Sequence, residues 1–342
     1  MSAQPIAVLN TGLVNSVGLS APSACAAMRA GLSNPVVTRF IDNAGNWILA
    51  HEVPLGEPLQ GRARLARMAA LAIEECLADI PRRDWSQIPL LLCVAERERP
   101  GRMDGLDDDL FIEIQQELQA EFAEQSQIIP YGRVSVGTAL LRARGLLTEP
   151  SVRRVLVAAT DSLLTWPTLD RYDRAGRLLN SGNSNGFMPG EGAGALLVGA
   201  PSGGAELVCC GMGFGIETAH IDAEQPLRGD GLTQAVNAAL AEAGREMKEM
   251  DLRITDLSGE QYYFKEAALV LARILRTHKE EFDIWHPAEC TGEQGAAAGA
   301  SVIALAHAAC RKAFSRGRNI LVHFANDAGQ RAALALEFRD GR

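Results

Sequence analysis

Asn185-Gly-Phe-Met-Pro-Gly-Glu-Gly-Ala-Gly-Ala195 is a turn marked by glycine and proline that runs into the apolar stretch Ala193-Gly-Ala-Leu-Leu-Val-Gly199. Turn chemistry followed by a short run without charges predicts a strand buried on both faces. Upstream, Val155-Leu-Val-Ala-Ala-Thr-Asp-Ser162 opens with the same kind of run and predicts a second such strand over Val155 to Ala159. Working outward, Ile6 to Gly12, Ile88 to Ala95, Glu206 to Gly213, Leu252 to Asp256, Asp283 to Trp285 and Ile320 to Phe324 read as further strands. Helical periodicity separates them at Pro22 to Gly31, Leu65 to Leu77, Leu110 to about Glu124 and Gly231 to Ala243. Apolar strands alternating with helices predict an α/β architecture whose sheets are covered on both faces. The break at Pro201-Ser-Gly-Gly204 divides the chain into a first half, residues 1–200, and a second, residues 201–342.

A chain of 342 residues can bury a large core. Its net charge of −9 argues against a nucleic-acid surface and against an anionic membrane surface. No apolar run has the length of a membrane span, and Met1-Ser-Ala-Gln-Pro5 has no basic leader, so a cytoplasmic protein is expected. Seven cysteines without CxxC spacing fit reduced thiols, and the six histidines show no metal-ligand spacing. Neither a metal nor a cofactor is expected. Gly211-Met-Gly-Phe-Gly215 has its third glycine misplaced for a dinucleotide loop and reads as a plain turn. Arg133 stands where a nucleophile elbow before Ser135 would need glycine. Asp107, Asp108 and Asp109 lack the spacing of a calcium loop and suit the N-terminus of the helix from Leu110.

Asn185 to Ala195, with the strand from Val155, resembles the "DGFxPGEGA" region of the β-ketoacyl synthases of the thiolase superfamily. Thr11-Gly12 with Val17-Gly18, Arg67 to Leu77, and Gly229-Asp-Gly231 with Ala235 to Gly244 resemble that family's segments in the same order. The resemblance covers nearly the whole chain. It implies a thiolase-like five-layered αβαβα fold of two pseudo-symmetric βαβαβ halves, and a dimer paired through the strand at Gln127 to Val136. It also implies where the reaction residues should be. The nucleophilic cysteine position falls near Ser135, within Pro130-Tyr-Gly-Arg-Val-Ser-Val-Gly-Thr-Ala-Leu140, and no cysteine lies between Cys93 and Cys209. Ser258 stands in place of the first histidine, Glu293 in place of the second and Ala288 in place of the lysine. The closing glycine-rich loop reads Phe324-Ala-Asn-Asp-Ala-Gly-Gln-Arg331.

Decarboxylative condensation builds negative charge on a thioester oxygen, which imidazoles can stabilise and an ionised Glu293 would repel. Two like charges about 4 Å apart cost roughly 4 kcal/mol at an effective dielectric near 20, about a thousandfold in rate. Serine without an adjacent base is a poor nucleophile. Cys290, three residues before Glu293, is the one contingent substitute. Two classes of function therefore stand. The first is a catalytically inactive, synthase-like binding or adaptor subunit. It would pair as a homodimer or with a related thiolase-like subunit and engage a protein partner, either an acyl carrier protein or a secretion effector. Trp285-His-Pro-Ala-Glu-Cys-Thr-Gly-Glu293 resembles the thiolase-like accessory proteins of type VI secretion effector operons. The second is a divergent acyltransferase, 3-oxoacyl synthase or thioester hydrolase acting on acyl-carrier or acyl-CoA thioesters. Candidate partner-binding residues are Leu110, Phe111 and Ile114 on the helix stripe, and the aromatic run Tyr262, Tyr263 and Phe264, whose other reading is to plug the vacated pocket.

Overall fold

The structure, a computed structural model, describes residues 4–341. The first half of the chain supplies β1 (Ile6–Val14), α1 (Ala21–Arg29), β2 (Val36–Ile41), β3 (Trp47–Ala50), α2 (Gly61–Cys76) and β4 (Leu90–Cys93). It continues through α3 (Asp109–Leu118), β5 (Gln127–Ile129), α4 (Ser135–Leu146), β6 (Arg154–Ser162), α5 (Trp166–Arg174) and β7 (Glu191–Gly199). The rest supplies β8 (Glu206–Ile216), α6 (Asp230–Ala243), β9 (Leu252–Thr255), α7 (Gln261–Ile274), β10 (Ile284–Trp285) and α8 (Ala288–Thr291). It ends with α9 (Ala298–Arg311), β11 (Asn319–Ala325) and β12 (Gln330–Arg339).

Apart from the hairpin β2–β3, the strands form one hydrogen-bonded array in the order β10-β9-β11-β12-β8-β1-β7-β6-β4-β5. The array is a repeat. From the middle outward, one side runs β1, β7, β6, β4, β5 and the other β8, β12, β11, β9, β10. On each side the inner two pairings are antiparallel and the outer two parallel. A short antiparallel pairing of Ile6–Val8 with Leu207–Cys209 joins the two sides.

Side-chain alternation along these strands sorts the core into layers. Leu90, Leu92, Leu156 and Ala158 face α2 and α3. Leu91, Cys93, Val155 and Val157 face the opposite way, onto α4 and α9, and meet Ile320 and Val322 from the other side. Leu321, Ala333 and Ala335 face α6. Helices α4 and α9 are therefore the middle of five layers, and the apolar run of α9 (Val302, Ile303, Ala304, Leu305, Ala306) is buried all round. Each fully buried leucine or isoleucine contributes about 1.5–3 kcal/mol.

Two sequence readings change. Gly211-Met-Gly-Phe-Gly215 is the interior of β8, not a turn. Its glycines share one face, and a Cβ on each would lie 1.9–2.1 Å from a backbone oxygen of α6. Gly12 of β1 stands in the same relation to Ala72 O of α2, at 1.9 Å. The spacing is a close helix-on-strand contact repeated in both halves. The helix from Leu110 stops at Leu118, because Gln119 adopts the left-handed conformation (φ 49°) and closes it. Phe122 reaches the core from the loop beyond and stacks on Trp85 at 6.1 Å.

Candidate functional site

Helices α4 and α9, the paired inner helices, begin alike. Each follows a turn of 3-10 helix that opens on a left-handed glycine, Gly132 (φ 56°) and Gly295 (φ 55°). A side chain at either would collide with a carboxylate. A Cβ on Gly132 would lie 2.0 Å from Glu96 Oε2, and one on Gly295 2.0 Å from Asp161 Oδ2. Asp161, at the end of β6, accepts hydrogen bonds from Ala296 N at 2.8 Å and Ser162 N at 2.9 Å. Arg99 ties the two acids together, donating to Glu96 at 3.0 and 2.7 Å and to Asp161 at 3.1 Å.

Beside this triad lies a second buried cluster, built across the two halves. Arg133 donates to Glu293 Oε2 at 3.2 Å and to Asp327 Oδ1 at 3.1 Å, and its Nε lies 3.9 Å from Asp256 Oδ2. Its guanidinium stacks over the Tyr263 ring, 4.3 Å from the centroid. Arg177 forms a two-pronged pair with Glu260 at 2.7 and 2.8 Å, and donates to Asp327 at 2.6 and 3.1 Å. Tyr263 and Tyr172 donate their hydroxyls to Asp327 at 2.5 and 3.4 Å. A third pair, Arg331 with Glu266 at 2.9 and 3.0 Å, is completely enclosed. Burial disfavours the charge on Asp327, but Arg133 and Arg177 outweigh it and hold this carboxyl well below the usual range. For Asp256 the balance goes the other way. Burial pushes it up to about 7, although Arg133 and the Ala325 N–H favour its anion.

The residues singled out in the sequence take the following places. Ser135 is completely buried at the start of α4. Its hydroxyl donates to Ile129 O at 2.9 Å and accepts from Tyr131 N at 2.9 Å, so it fastens the turn and is not presented to a substrate. Gly132, three residues earlier, holds the left-handed position at the mouth of the helix. Ser258 follows β9, and its buried hydroxyl has no hydrogen-bond partner. Glu293 is buried but is not an isolated charge, since Arg133 sits on one oxygen and Gly295 N donates to the other at 2.8 Å. Cys290 is a core residue of α8, and burial, with Glu289 adding to it, pushes its thiol up and away from thiolate. Ala288 opens the same helix.

The partner-binding candidates are corrected in part. Leu110 and Ile114 are completely buried under α2, because the stripe of α3 faces the sheet, and Phe111 packs half-buried at the edge of the same core. Tyr263 is also inside, 2% exposed, filling the space beneath Arg133. Tyr262 is half-buried and donates to Ala219 O at 2.6 Å, and Phe264 packs edge-on against His286 at 5.3 Å. Of the three, Tyr263 fills the site, and Tyr262 and Phe264 stay partly exposed.

Sequence reasoning missed the arginine and acid partners Arg99, Arg177, Asp256, Glu260 and Asp327. A signal was present. Asp161 lies near the end of a largely apolar strand, and Asp256 and Asp327 follow two other strands, where a buried charge demands a partner. Among the described residues no group of histidine, cysteine and acid side chains is arranged to hold a metal ion, and no helix is long and apolar enough to cross a membrane.

No protein-family model matches the chain, and no curated protein does. Solved structures do. A chain of "The ishigamide ketosynthase/chain length factor" superposes with a TM-score of 0.75 at 20% identity, over 98% of this chain and 99% of that one. A chain of the Xenorhabdus doucetiae ketosynthase ApeO in complex with its chain length factor ApeC gives 0.74 at 15% identity, over 98% of each. A chain of the AntDE:AntF complex, a type II PKS acyl-carrier protein with its ketosynthase, gives 0.80 at 14% identity, over 98% of this chain and 100% of that one. The chain therefore has the thiolase-like α/β fold of the ketosynthases and chain length factors, end to end. At these identities the likeness is one of fold.

Proposed function

We propose that the protein is a non-catalytic, synthase-like binding subunit, a thiolase scaffold that works by holding partners. The observation that carries this reading is the buried cluster of Arg133, Arg177, Tyr263, Glu260, Glu293 and Asp327 at the start of the inner helices. Acyl transfer at that place needs a nucleophile, a base in contact with it and space for a thioester. Here Arg133, Arg177, Tyr263, Glu260, Glu293 and Asp327 are already paired with one another. The serine is fastened to backbone, the nearby cysteine is kept neutral, and an aromatic ring fills the space.

Chain length factors are named as partners of ketosynthases in two of the similar structures, and an acyl-carrier protein is bound in a third. These precedents support a related thiolase-like subunit or an acyl carrier as the partner class. The finer assignment, an adaptor that loads a bacterial secretion effector, rests on the resemblance of Trp285 to Glu293 to accessory proteins of that kind. The alternative reading, a divergent acyltransferase or thioester hydrolase, would need Ser258 or Cys290 to gain a base that neither has in this geometry.

Intact-mass spectrometry after incubation with acetyl and malonyl thioesters separates the two. The expected result is an unchanged mass and no release of carbon dioxide. A stable acyl adduct that disappears in Cys290→Ala or Ser258→Ala would establish an enzyme.

A further inference from the structure

The cluster between the halves is unequal in charge. The first half contributes two guanidiniums, Arg133 and Arg177, and the second contributes four carboxyls, Asp256, Glu260, Glu293 and Asp327. Arg331, the next cation, is matched by Glu266. Fully ionised, the four carboxyls would leave two negative charges uncompensated in a site where only Asp327 is partly open to water, which is unfavourable. Hydrogen bonding identifies the carboxyl best able to be neutral. Glu260 receives two guanidinium bonds and Asp327 three, and Glu293 receives one together with a backbone N–H. Asp256 receives one backbone N–H, from Ala325 at 3.0 Å, and its nearest guanidinium nitrogen is 3.9 Å away, beyond hydrogen-bond distance.

We propose that Asp256 carries a proton in the closed protein, and that losing it to solvent loosens the arginine pairs that hold the two halves together at this site. The groups that face Asp256 are Arg133 from the turn before α4, Glu293 from the turn before α9, the Ala325 amide at the end of β11 and Arg331 on β12. An ionised Asp256 competes with Glu293 and Asp327 for Arg133, which anchors the crossing. The same loop carries the unpartnered Ser258 hydroxyl and leads through Glu260 into Tyr263. A change at Asp256 is therefore passed along the five-residue segment 256–260 to Tyr263, in the first turn of α7. The burial-raised value near 7 places this response in the physiological range. A carboxyl whose folded value is raised contributes stability that is fully present below its unfolded value of about 4 and is lost as pH rises to about 7.

Amide hydrogen exchange followed by mass spectrometry, corrected for the intrinsic effect of pH, tests the latch on the intact chain. Between pH 6 and pH 8, protection of peptides covering residues 130–136, 256–264 and 324–331 is expected to fall about tenfold, while α6 stays unchanged. Asp256→Asn, which keeps the shape and cannot ionise, is expected to abolish the pH response. A wild-type protein whose protection is flat with pH, or an Asn variant that responds like wild type, overturns the proposal. A carbon-13 carboxyl titration of aspartate-labelled wild type needs no variant. One carboxyl titrating near 7 is expected, and finding every aspartate below about 5 overturns the proposal.

Discussion

Arg133 shows how one residue can gather groups from several segments of the chain. Its guanidinium touches Glu293, Asp327 and the Tyr263 ring, and approaches Asp256. Removing one partner of a buried ion pair leaves unpaired charge behind, typically a loss of about 3–5 kcal/mol. Arg133→Met is expected to lose that much in urea unfolding, and adding Glu293→Gln with Asp327→Asn should recover most of it. A loss below about 1 kcal/mol for the single variant would mean that the cluster relaxes freely and is not a clasp. This part of the site was only partly legible in the sequence. Ser258 and Glu293 could be placed by motif, because each sits beside a glycine that fixes the local backbone. The rest of the cluster could not, because Arg133, Arg177, Asp256 and Asp327 come from four separate segments that only the finished fold brings together. Electrostatic reasoning on Glu293 alone gave a lone repulsive charge, whereas the folded chain supplies its counter-ion 160 residues away.

At the scale of elements, the glycines of β8 set how close helix and sheet can come. A Cβ at Gly213 would lie 1.9 Å from Ala235 O and 2.6 Å from Ala239 N, both backbone atoms that cannot rotate aside. Gly213→Ala is expected to lose about 3 kcal/mol or more, since relief requires α6 to lift from the sheet. Gly145, in α4, has no atom within 4 Å of a built Cβ. Gly145→Ala should be neutral or gain up to about 1 kcal/mol through helix propensity. Equal thermal shifts for the two variants would show that the close packing of α6 on β8 is not what the glycines are for. Strand positions were the best-read elements, because Val155 to Ala159 are apolar on both faces, as are Ile320 to Phe324 apart from His323, and such runs admit few alternatives. The end of α3 was read too late by several residues, since the apolar spacing runs on to Phe122 while the backbone turns at Gln119. Periodicity records which residues reach the core and not whether a helix carries them there.

For the whole molecule, the free edge of β5 is where a second chain is expected to join. This strand ends the array and pairs only with β4, so one row of its backbone groups lacks a strand partner. Beside it lies an open cleft of about 540 Å³ lined by Ile128, Tyr131, Arg142 and Ile216. Tyr131 is 40% exposed and Ile216 60%, so two large apolar groups stand in solvent next to an unpaired edge. A second thiolase-like chain laid antiparallel along β5 would continue the array and cover both. If that chain is a copy of this one, the contact is isologous, and each substitution acts on both sides of the axis. Light scattering during gel filtration at micromolar concentration is expected to give twice the chain mass. Ile216→Asp combined with Tyr131→Asp should give a folded monomer, with helical circular dichroism unchanged because both side chains are already in water. A wild-type protein that runs as a monomer excludes the homodimer and leaves the edge for a related subunit. Adding the candidate subunit to that monomer should then produce a one-to-one complex that the double aspartate variant cannot form. A complex that forms equally well with the variant would place the docking surface elsewhere on the molecule.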